Sequence, residues 1–384
     1  MITKTIFKIM FISSFVSITL TAKDKPMKKF IVVGEKLIKG DIWQNQFVQS
    51  EYEEITAIAL NEHRKKYPKS NVEIEFSFDE QNVILGFEKA EKLGAFGVIG
   101  YKRSPQAMEA SVISQKMKIP FLTAVSPLNA VRTTHSICLS ASHSRLAEGF
   151  KLARKRFDYP SITVLDEAQL TSLEYERIFK EAFDVKASFL GATAEILDKI
   201  KDKINEIKAP KINIFMSGYG LSQMDVVNHL AATFGDKLNF IVHSQWSFCE
   251  MLLAEGLKPH VKNLYAISDY ANPVGFAGTG IGLSQEVSAN NSRLKDLLSK
   301  VESKGIDEPV IYVMRDMLHI SLEAAEASAT REEYLKKIRN VEFKGYSDDH
   351  MIIEGTVRKR VFLLKWHGKG FKPVEVLQSM DVKV

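Results

Sequence analysis

Short apolar segments alternate with longer amphipathic segments along most of the chain, and several of the apolar segments end in glycine. The segment from Lys29 to Gly34 (KFIVVG) predicts a buried strand. The segment from Glu51 to Lys66 begins with acidic residues and ends with basic ones, which the helix dipole favours, and it predicts a helix. Strands joined by helices pair in parallel and are covered on both faces. The alternation therefore predicts an α/β protein.

The alternation continues to residue 268 and then changes character. Further strands are predicted at 72–78, 97–100, 119–125, 161–165, 186–190, 211–217, 240–243 and 264–268. Further helices are predicted at 82–93, 105–117, 144–157, 173–183, 194–207, 222–234 and 248–255. A glycine-rich loop at 275–282 precedes predicted helices at 294–304 and 309–329, and an antiparallel pair of strands is predicted at 357–366 and 371–377.

The first 22 residues are typical of a secretory signal peptide. Lys4 and Lys8 supply the positive charge, residues 9–20 form an uncharged apolar run, and Leu20-Thr21-Ala22 is a small-residue cleavage site. The run of 12 residues is shorter than the ~20 that a membrane-spanning helix needs. We therefore expect a periplasmic protein, not embedded in the membrane, with cleavage near Ala22. An uncleaved anchor is the alternative.

Composition narrows the possible classes. The 384 residues are 45% hydrophobic and 26% charged, which is ordinary for a globular protein of two lobes or at most three domains. The two cysteines, Cys138 and Cys249, cannot form a disulfide framework or a cysteine-rich zinc site. Removal of Lys4 and Lys8 with the signal peptide lowers the net charge of +5 by two, to +3. Charge alone therefore gives no reason to expect a nucleic-acid partner.

Local motifs do not predict an enzyme. Residues 278–282 have the spacing G-x-G-x-G, follow no predicted strand, and are expected to form a surface or hinge loop. His135 and His143 have no carboxylate nearby that would complete a metal site. None of the patterns G-x-S-x-G, H-E-x-x-H or G-x-x-x-x-G-K-[ST] occurs. We predict no catalytic residues, no metal and no cofactor, although an exported enzyme assembled from distant residues remains a third alternative.

Two charged clusters are expected to lie on the surface. Asp348-Asp349-His350 predicts a solvated turn, because adjacency in sequence does not bring acid and base groups together in a cleft. Arg358-Lys359-Arg360 predicts an exposed sheet face, with a docking surface for an anionic partner as the alternative. Cys138 lies between Ile137 and Leu139, which predicts a buried strand cysteine.

Several segments together resemble the type I periplasmic solute-binding proteins, in particular the branched-chain amino-acid (leucine/isoleucine/valine) group that serves ABC transporters. The most specific is residues 110–131 (ASVISQKMKIPFLTAVSPLNAV), similar to that family's helix, Ile-Pro, strand and small-residue loop. The others are residues 30–34 with Trp43 beyond them, residues 92–100 leading to Ser104, residues 312–329 with Asp316, and residues 341–345.

The resemblance implies two doubly wound parallel-sheet lobes joined by hinge strands, the periplasmic binding protein-like I fold. Residues 28–141 plus 271–333 would form lobe 1, and residues 142–268 plus 337–384 would form lobe 2. A small-molecule ligand would bind between the lobes, and the partner would be the membrane permease of an ABC transporter. A periplasmic sensor or regulatory protein that has lost transport is the alternative.

The chain departs from that family's pattern in the loops that hold the ligand. Glu35 to Lys39 replace the usual small residues after the first strand, and Pro127 has no N–H in the loop that would bind a ligand carboxylate. Gln169 or Leu170 stands where an aromatic residue is usual. The acid that would pair with an α-ammonium group has only the candidates Asp166, Glu167 and Asp269. These departures argue against an ordinary amino-acid ligand. We expect a small ligand that is amino-acid-like or amide-like.

Ligands of parallel α/β sheets bind beyond the carboxyl ends of the strands. Serines there can donate hydrogen bonds to an anionic or carbonyl group, and aromatic residues can cover an apolar part. The predicted ligand-binding residues are Trp43, Tyr101, Ser104, Ala124, Ser126, Gln169, Ser217, Tyr219, Trp246 and Tyr270.

Overall fold

A computed structural model describes most of the chain after residue 28. The described residues are 29–34, 49–77, 82–101, 104–123, 131–166, 172–191, 193–218, 220–248, 250–271, 273–276, 279–300 and 309–380. The predicted signal peptide at 1–22 lies outside these ranges and stays a prediction. None of the helices in the described ranges combines the length and the apolar character needed to cross a membrane.

The first sheet has five strands, all parallel, in the order β2-β1-β3-β4-β5. The strands are β1 (Lys29–Val33), β2 (Val72–Phe76), β3 (Gly97–Ile99), β4 (Phe121–Thr123) and β5 (Ser136–Cys138). The helices between them are α1 (Gln49–Lys66), α2 (Val83–Lys92) and α3 (Ser104–Met117). Cys138 is buried in β5, as its apolar neighbours predict.

The second sheet has seven strands in the order β15-β14-β10-β9-β8-β6-β7. Its parallel strands are β6 (Ser161–Leu165), β7 (Val185–Leu190), β8 (Ile212–Met216), β9 (Leu238–His243) and β10 (Leu264–Ser268). The antiparallel pair β14 (Val361–Trp366) and β15 (Phe371–Gln378) completes one edge. Its helices are α4 (His143–Ala153), α5 (Ser172–Ala182), α6 (Ala194–Glu206), α7 (Gly220–Phe234) and α8 (Glu250–Gly256).

Side chains that alternate along the strands build a core on both faces of each sheet. Ile31 and Val33 of β1 pack toward α1, whereas Val32 packs with Phe87 of α2 on the opposite face. In the second sheet, Phe215 of β8 stacks on Phe179 of α5 at 4.3 Å. Each sheet is therefore covered on both faces, and the predicted α/β class is confirmed.

The last third of the chain returns to the first sheet before it ends in the second. Its elements are α9 (Gln285–Lys300), α10 (Pro309–Glu326), α11 (Arg331–Ile338), and the small antiparallel sheet β11 (Val341–Lys344), β12 (Asp349–Ile353) and β13 (Thr356–Arg358). Tyr346, Ile352 and Val357 join the core that contains β1 and α1. Residues 341–358 thus pack with the first sheet, whereas the predicted division placed everything after 337 in lobe 2. Phe276, predicted for lobe 1, packs on Phe362 of the second sheet.

Both charged clusters that were expected on the surface are largely buried, so these two predictions are wrong. Asp348, His350 and Lys359 are buried, and the other three residues are half-buried. His350 lies in β12 with no exposed surface, and its Nε2 lies 2.8 Å from Asp316 Oδ2. Lys359 is also fully buried, and the predicted strand 357–366 is interrupted at 359–360. Arg360 pairs with Asp348 instead of facing solvent. For His350 and Arg360 a carboxylate elsewhere in the chain makes burial possible, because a buried polar or charged group needs a compensating partner.

Three segments connect the first sheet and its helices to the second. Residues 139–142 lead from β5 to α4, residues 269–271 follow β10, and residues 359–360 join β13 to β14. We call these three segments the joint. They lie close together, because Ala141 N donates a 2.6 Å hydrogen bond to Asp269 Oδ2. A molecule built this way can rotate its two halves about a few backbone dihedrals.

Candidate functional site

The carboxyl ends of the second sheet bring three segments together. Asp166 follows β6, Ser217 and Gly218 follow β8, and His243 ends β9. Asp166 N donates to Ser217 Oγ at 3.3 Å, which links the first two strand ends. The indole Nε1 of Trp246 donates to Gly218 O at 2.9 Å, which links the second to the third. This edge is therefore held together by hydrogen bonds to its own backbone.

Ser217 and Trp246, two of the predicted ligand residues, both lie at this edge. Neither has exposed surface, and Trp246 packs within the core of the second sheet. Both lie at the carboxyl ends of strands, as the sequence indicates, and their role in binding a ligand stays a prediction. In this arrangement the indole N–H donates to a backbone carbonyl of the protein, so Trp246 holds two strand ends together.

His243 and Tyr175 add an aromatic layer that sequence reasoning missed. Their rings stack at 4.1 Å with an interplanar angle of 15°. His243 Nε2 lies 2.9 Å from Ser217 O and 3.2 Å from Gly218 O, so this nitrogen carries the proton. Burial lowers the pKa of His243 to about 4, although the two carbonyls oppose the shift. The position of His243 at the end of an apolar strand was the signal that could have found it.

A second buried histidine, His143, begins α4 directly after the joint. Its Nδ1 lies 2.5 Å from Glu174 Oε1, and its ring meets Tyr175 edge-on at 5.2 Å. Burial lowers the pKa of His143, and Glu174 works against that shift. No group of three or more metal-ligating side chains occurs within the described ranges. The rings of both histidines contact Tyr175, His243 stacked on it and His143 edge-on.

The carboxyl ends of the first sheet place Tyr101 after β3. Tyr101 takes a left-handed backbone conformation with φ of 53°, and its hydroxyl donates to Val83 O at 3.1 Å. A Cβ on Gly34 would lie only 2.5 Å from this hydroxyl oxygen, so only glycine at the end of β1 lets the ring pack there. Tyr101 has no exposed surface. It therefore fixes the end of β1 against α2.

The other predicted ligand residues divide into two groups. Ser104 is described as the first residue of α3, and Tyr270 is buried at the joint. The remaining five lie outside the described residues and stay predictions: Trp43, Ala124, Ser126, Gln169 and Tyr219.

The joint brings the side chains of Tyr270 and Lys359 into contact. Tyr270 N donates to Ser268 Oγ at 3.0 Å, and Lys359 Nζ lies 3.2 Å from the centroid of the Tyr270 ring. Burial raises the pKa of Tyr270 well above its usual value. Tyr270 is thus a neutral ring that carries a buried cation on its face.

Searches of solved structures find this architecture in substrate-binding proteins of ABC transporters. A substrate-binding protein of an ABC transporter from Desulfitobacterium hafniense, in complex with Leu, superposes with a TM-score of 0.69 at 14% identity, over 90% of this chain and 99% of that one. The chain has the fold of ABC-transporter substrate-binding proteins. The resemblance that the sequence predicted is confirmed at the level of the fold.

Other structures with the same fold differ in what they hold. A leucine-binding protein from Thermotoga maritima matches with a TM-score of 0.68 at 15% identity, over 92% of this chain and all of that one. A solute-binding protein from Rhodopseudomonas palustris in complex with p-hydroxybenzoic acid matches with a TM-score of 0.70 at 15% identity, over 92% and 98%. Neither a known family profile nor a curated protein matches the sequence. The fold is therefore shared where the sequence has diverged.

Proposed function

We propose that the chain is a periplasmic solute-binding protein that captures a small ligand between its two lobes and delivers it to the membrane permease of an ABC transporter. The observation that carries this proposal is the shared fold, in which a parallel sheet and a mostly parallel sheet are connected by a three-segment joint. Lobes that rotate about such a joint can close on a ligand when its contacts reach both lobes. No chemical step is required of any residue.

The proposed ligand is amino-acid-like or amide-like. Leu and p-hydroxybenzoic acid, which relatives of this fold hold, both carry a carboxylate. Ser104, Ser126 and Ser217 are the proposed donors to such a group. Buried Tyr175 and His243 could support an aromatic or apolar part from the side of the second sheet.

A titration of ligand-free protein tests this function. The protein is unfolded, dialysed, refolded, and screened by thermal shift and calorimetry against leucine, isoleucine, small amides, 4-hydroxybenzoate and short organic acids. A true ligand at 100 times its dissociation constant stabilises the folded state by ~2.7 kcal/mol, which a thermal shift detects. Silence across the whole panel would count against capture of this ligand class.

Matched serine variants then locate the site. We expect Ser126→Ala to weaken binding of the identified ligand, because its hydroxyl is a proposed donor. Ser292→Ala is the control, since Ser292 is exposed on α9 and its hydroxyl donates to Ser288 O. Equal affinities of the two variants would remove Ser126 from the proposed site. Binding without stimulation of a co-reconstituted permease would favour the sensor alternative.

A further inference from the structure

A lysine and an aspartate are buried at the joint, each with an unfilled hydrogen-bonding position. Lys359 Nζ is buried and makes no hydrogen bond, and Asp269 Oδ1 is buried and makes none. The two residues belong to different segments of the joint. Among the described residues, no carboxylate forms an ion pair with Lys359, and that includes Asp269. Burying an ammonium group without an acceptor is costly, so its position requires an explanation.

The other carboxylates around Lys359 are already occupied. Asp316 accepts hydrogen bonds from Tyr346 N, from both Ser347 N and its hydroxyl, and from His350. Asp348 binds the guanidinium of Arg360. Asp269 uses only Oδ2, which accepts from the backbone of Ala141. Asp269 is therefore the carboxylate with an oxygen left for Lys359.

The two side chains would respond differently to a rotation of the lobes. Asp269 follows β10 of the second sheet and is tied to the residue that leads into α4. Lys359 directly follows β13, which packs with the first sheet, and its side chain rests on Tyr270 without a hydrogen bond. Because residues 359–360 are the whole link between β13 and β14, a rotation changes their backbone dihedrals and moves the Lys359 ammonium.

We propose that Lys359 and Asp269 form an ion pair in one arrangement of the lobes and are separated, as here, in the other, so that the pair sets the balance between open and closed protein. In the separated arrangement the face of Tyr270 holds the ammonium. Burial lowers the pKa of Lys359 and raises the pKa of Asp269, and the charge of each residue opposes the shift of the other. The pair would set the free-energy difference between open and closed protein. Only the use of that difference in ligand capture rests on the proposed function.

Distances between the lobes in ligand-free protein test the pair. Spin labels are placed at Glu88→Cys on α2 and Glu195→Cys on α6, both exposed positions, in a chain with Cys249→Ser. Buried Cys138 is kept. Pulsed electron paramagnetic resonance should give two distances for the otherwise unchanged chain. No ligand is needed, so a silent ligand screen would leave this result interpretable.

Three variants and one control decide the outcome. Lys359→Met and Asp269→Asn should each reduce the population of the paired arrangement roughly tenfold, within the usual range of such couplings. The double variant should shift it no further than either single change. Asp269→Asn keeps an acceptor for Ala141 N and so protects against loss of folding. Lys365→Met is the control, because Lys365 lies on β14 over Tyr265 at 5.6 Å and outside the joint.

Some results would overturn the proposal. A single distance in the unchanged chain would show that the lobes do not exchange between two arrangements. Distributions that stay the same in both single variants would show that the pair does not set the balance. Shifts that add in the double variant would show that the two residues act independently.

Discussion

Acidification should destabilise the protein through His243, because the folded chain holds this imidazole neutral. Its pKa is lowered from 6.5 to about 4 by complete burial. The unfolded chain therefore takes up a proton between these values while the folded chain does not. Stability is full above pH 6.5 and is lost as the pH falls toward 4. A shift of this size corresponds to about 3 kcal/mol, since one pKa unit is worth ~1.36 kcal/mol.

Urea unfolding at several pH values between 7 and 4 measures this contribution. The variant His243→Gln keeps a side-chain donor for Gly218 O but cannot titrate. As the pH is lowered, its free energy of unfolding should decrease less steeply than that of the unchanged chain. The difference in slope should be at most ~1.4 kcal/mol per pH unit, the value for one bound proton. His143, whose pKa is also lowered by burial, adds a slope of the same sign to both proteins and cancels in the comparison.

An exposed histidine provides the control for this experiment. His260 lies at the surface, and His260→Gln controls for the replacement of a histidine by glutamine outside the core. Parallel curves for the His243→Gln and unchanged proteins between pH 6.5 and 4 would refute the reasoning. They would mean that water or a local opening solvates His243 in the folded state.

Other substitutions test the packing around the joint and the first sheet. Arg360→Gln should lower the free energy of unfolding in urea by about 3–5 kcal/mol, because Asp348 is 5% exposed and would be left buried without its partner. Adding Asp348→Asn to this variant should recover part of the lost free energy of unfolding. A double variant whose loss equals the sum of the losses of the two single variants would contradict the pairing. Gly97→Ala should cost about 1–3 kcal/mol in the same assay, because a Cβ there would lie 2.9 Å from Pro120 O. Gly282→Ala, with nothing within 4 Å of its Cβ, is the control, and equal stability of the two alanine variants would contradict the packing argument.

Periodicity predicted the regular part of the fold because that part depends on local pattern. The apolar runs of β6, β8 and β10 are buried at every position and lie where the sequence placed them. The antiparallel edge β14–β15 also matches its predicted position, apart from the interruption before Val361. Helix α9 begins at Gln285, nine residues before its predicted start. The prediction began too late because the first turns of this helix are polar and show no apolar periodicity.

The small sheet β11–β12–β13 could not be found in this way. Its strands are short and contain charged residues, so their alternation is weak. His350 is buried because Asp316, 34 residues earlier on α10, accepts its hydrogen bond. Burial raises the pKa of Asp316, but the nearby His350 and the donated hydrogen bonds outweigh this effect and lower it. A pairing of this kind is a property of the folded chain, and no local window of sequence contains it.

Reasoning from strand ends located the candidate site but not the condition of its side chains. The rule that ligands bind beyond carboxyl ends selected Ser217 and Trp246, which both lie at that edge, and their contact with a ligand stays a prediction. Whether an indole N–H faces a ligand or a backbone carbonyl depends on the path of the loop, and here Gly218 O takes it. Aromatic residues at such positions therefore predict a region more securely than they predict a contact.

The contacts on either side of residues 359–360, the last segment of the joint, indicate where a rotation of the lobes would be concentrated. Before this segment, Asp316 fastens residues 346–350 to α10, so the small sheet moves with the first lobe. After this segment, β14 is paired on both edges within the second sheet. Rigid segments on both sides leave residues 359–360 to absorb the change in dihedral angles, as hinge residues do. A change in lobe angle would therefore move the buried ammonium group of Lys359. The same group inside either sheet would keep its surroundings.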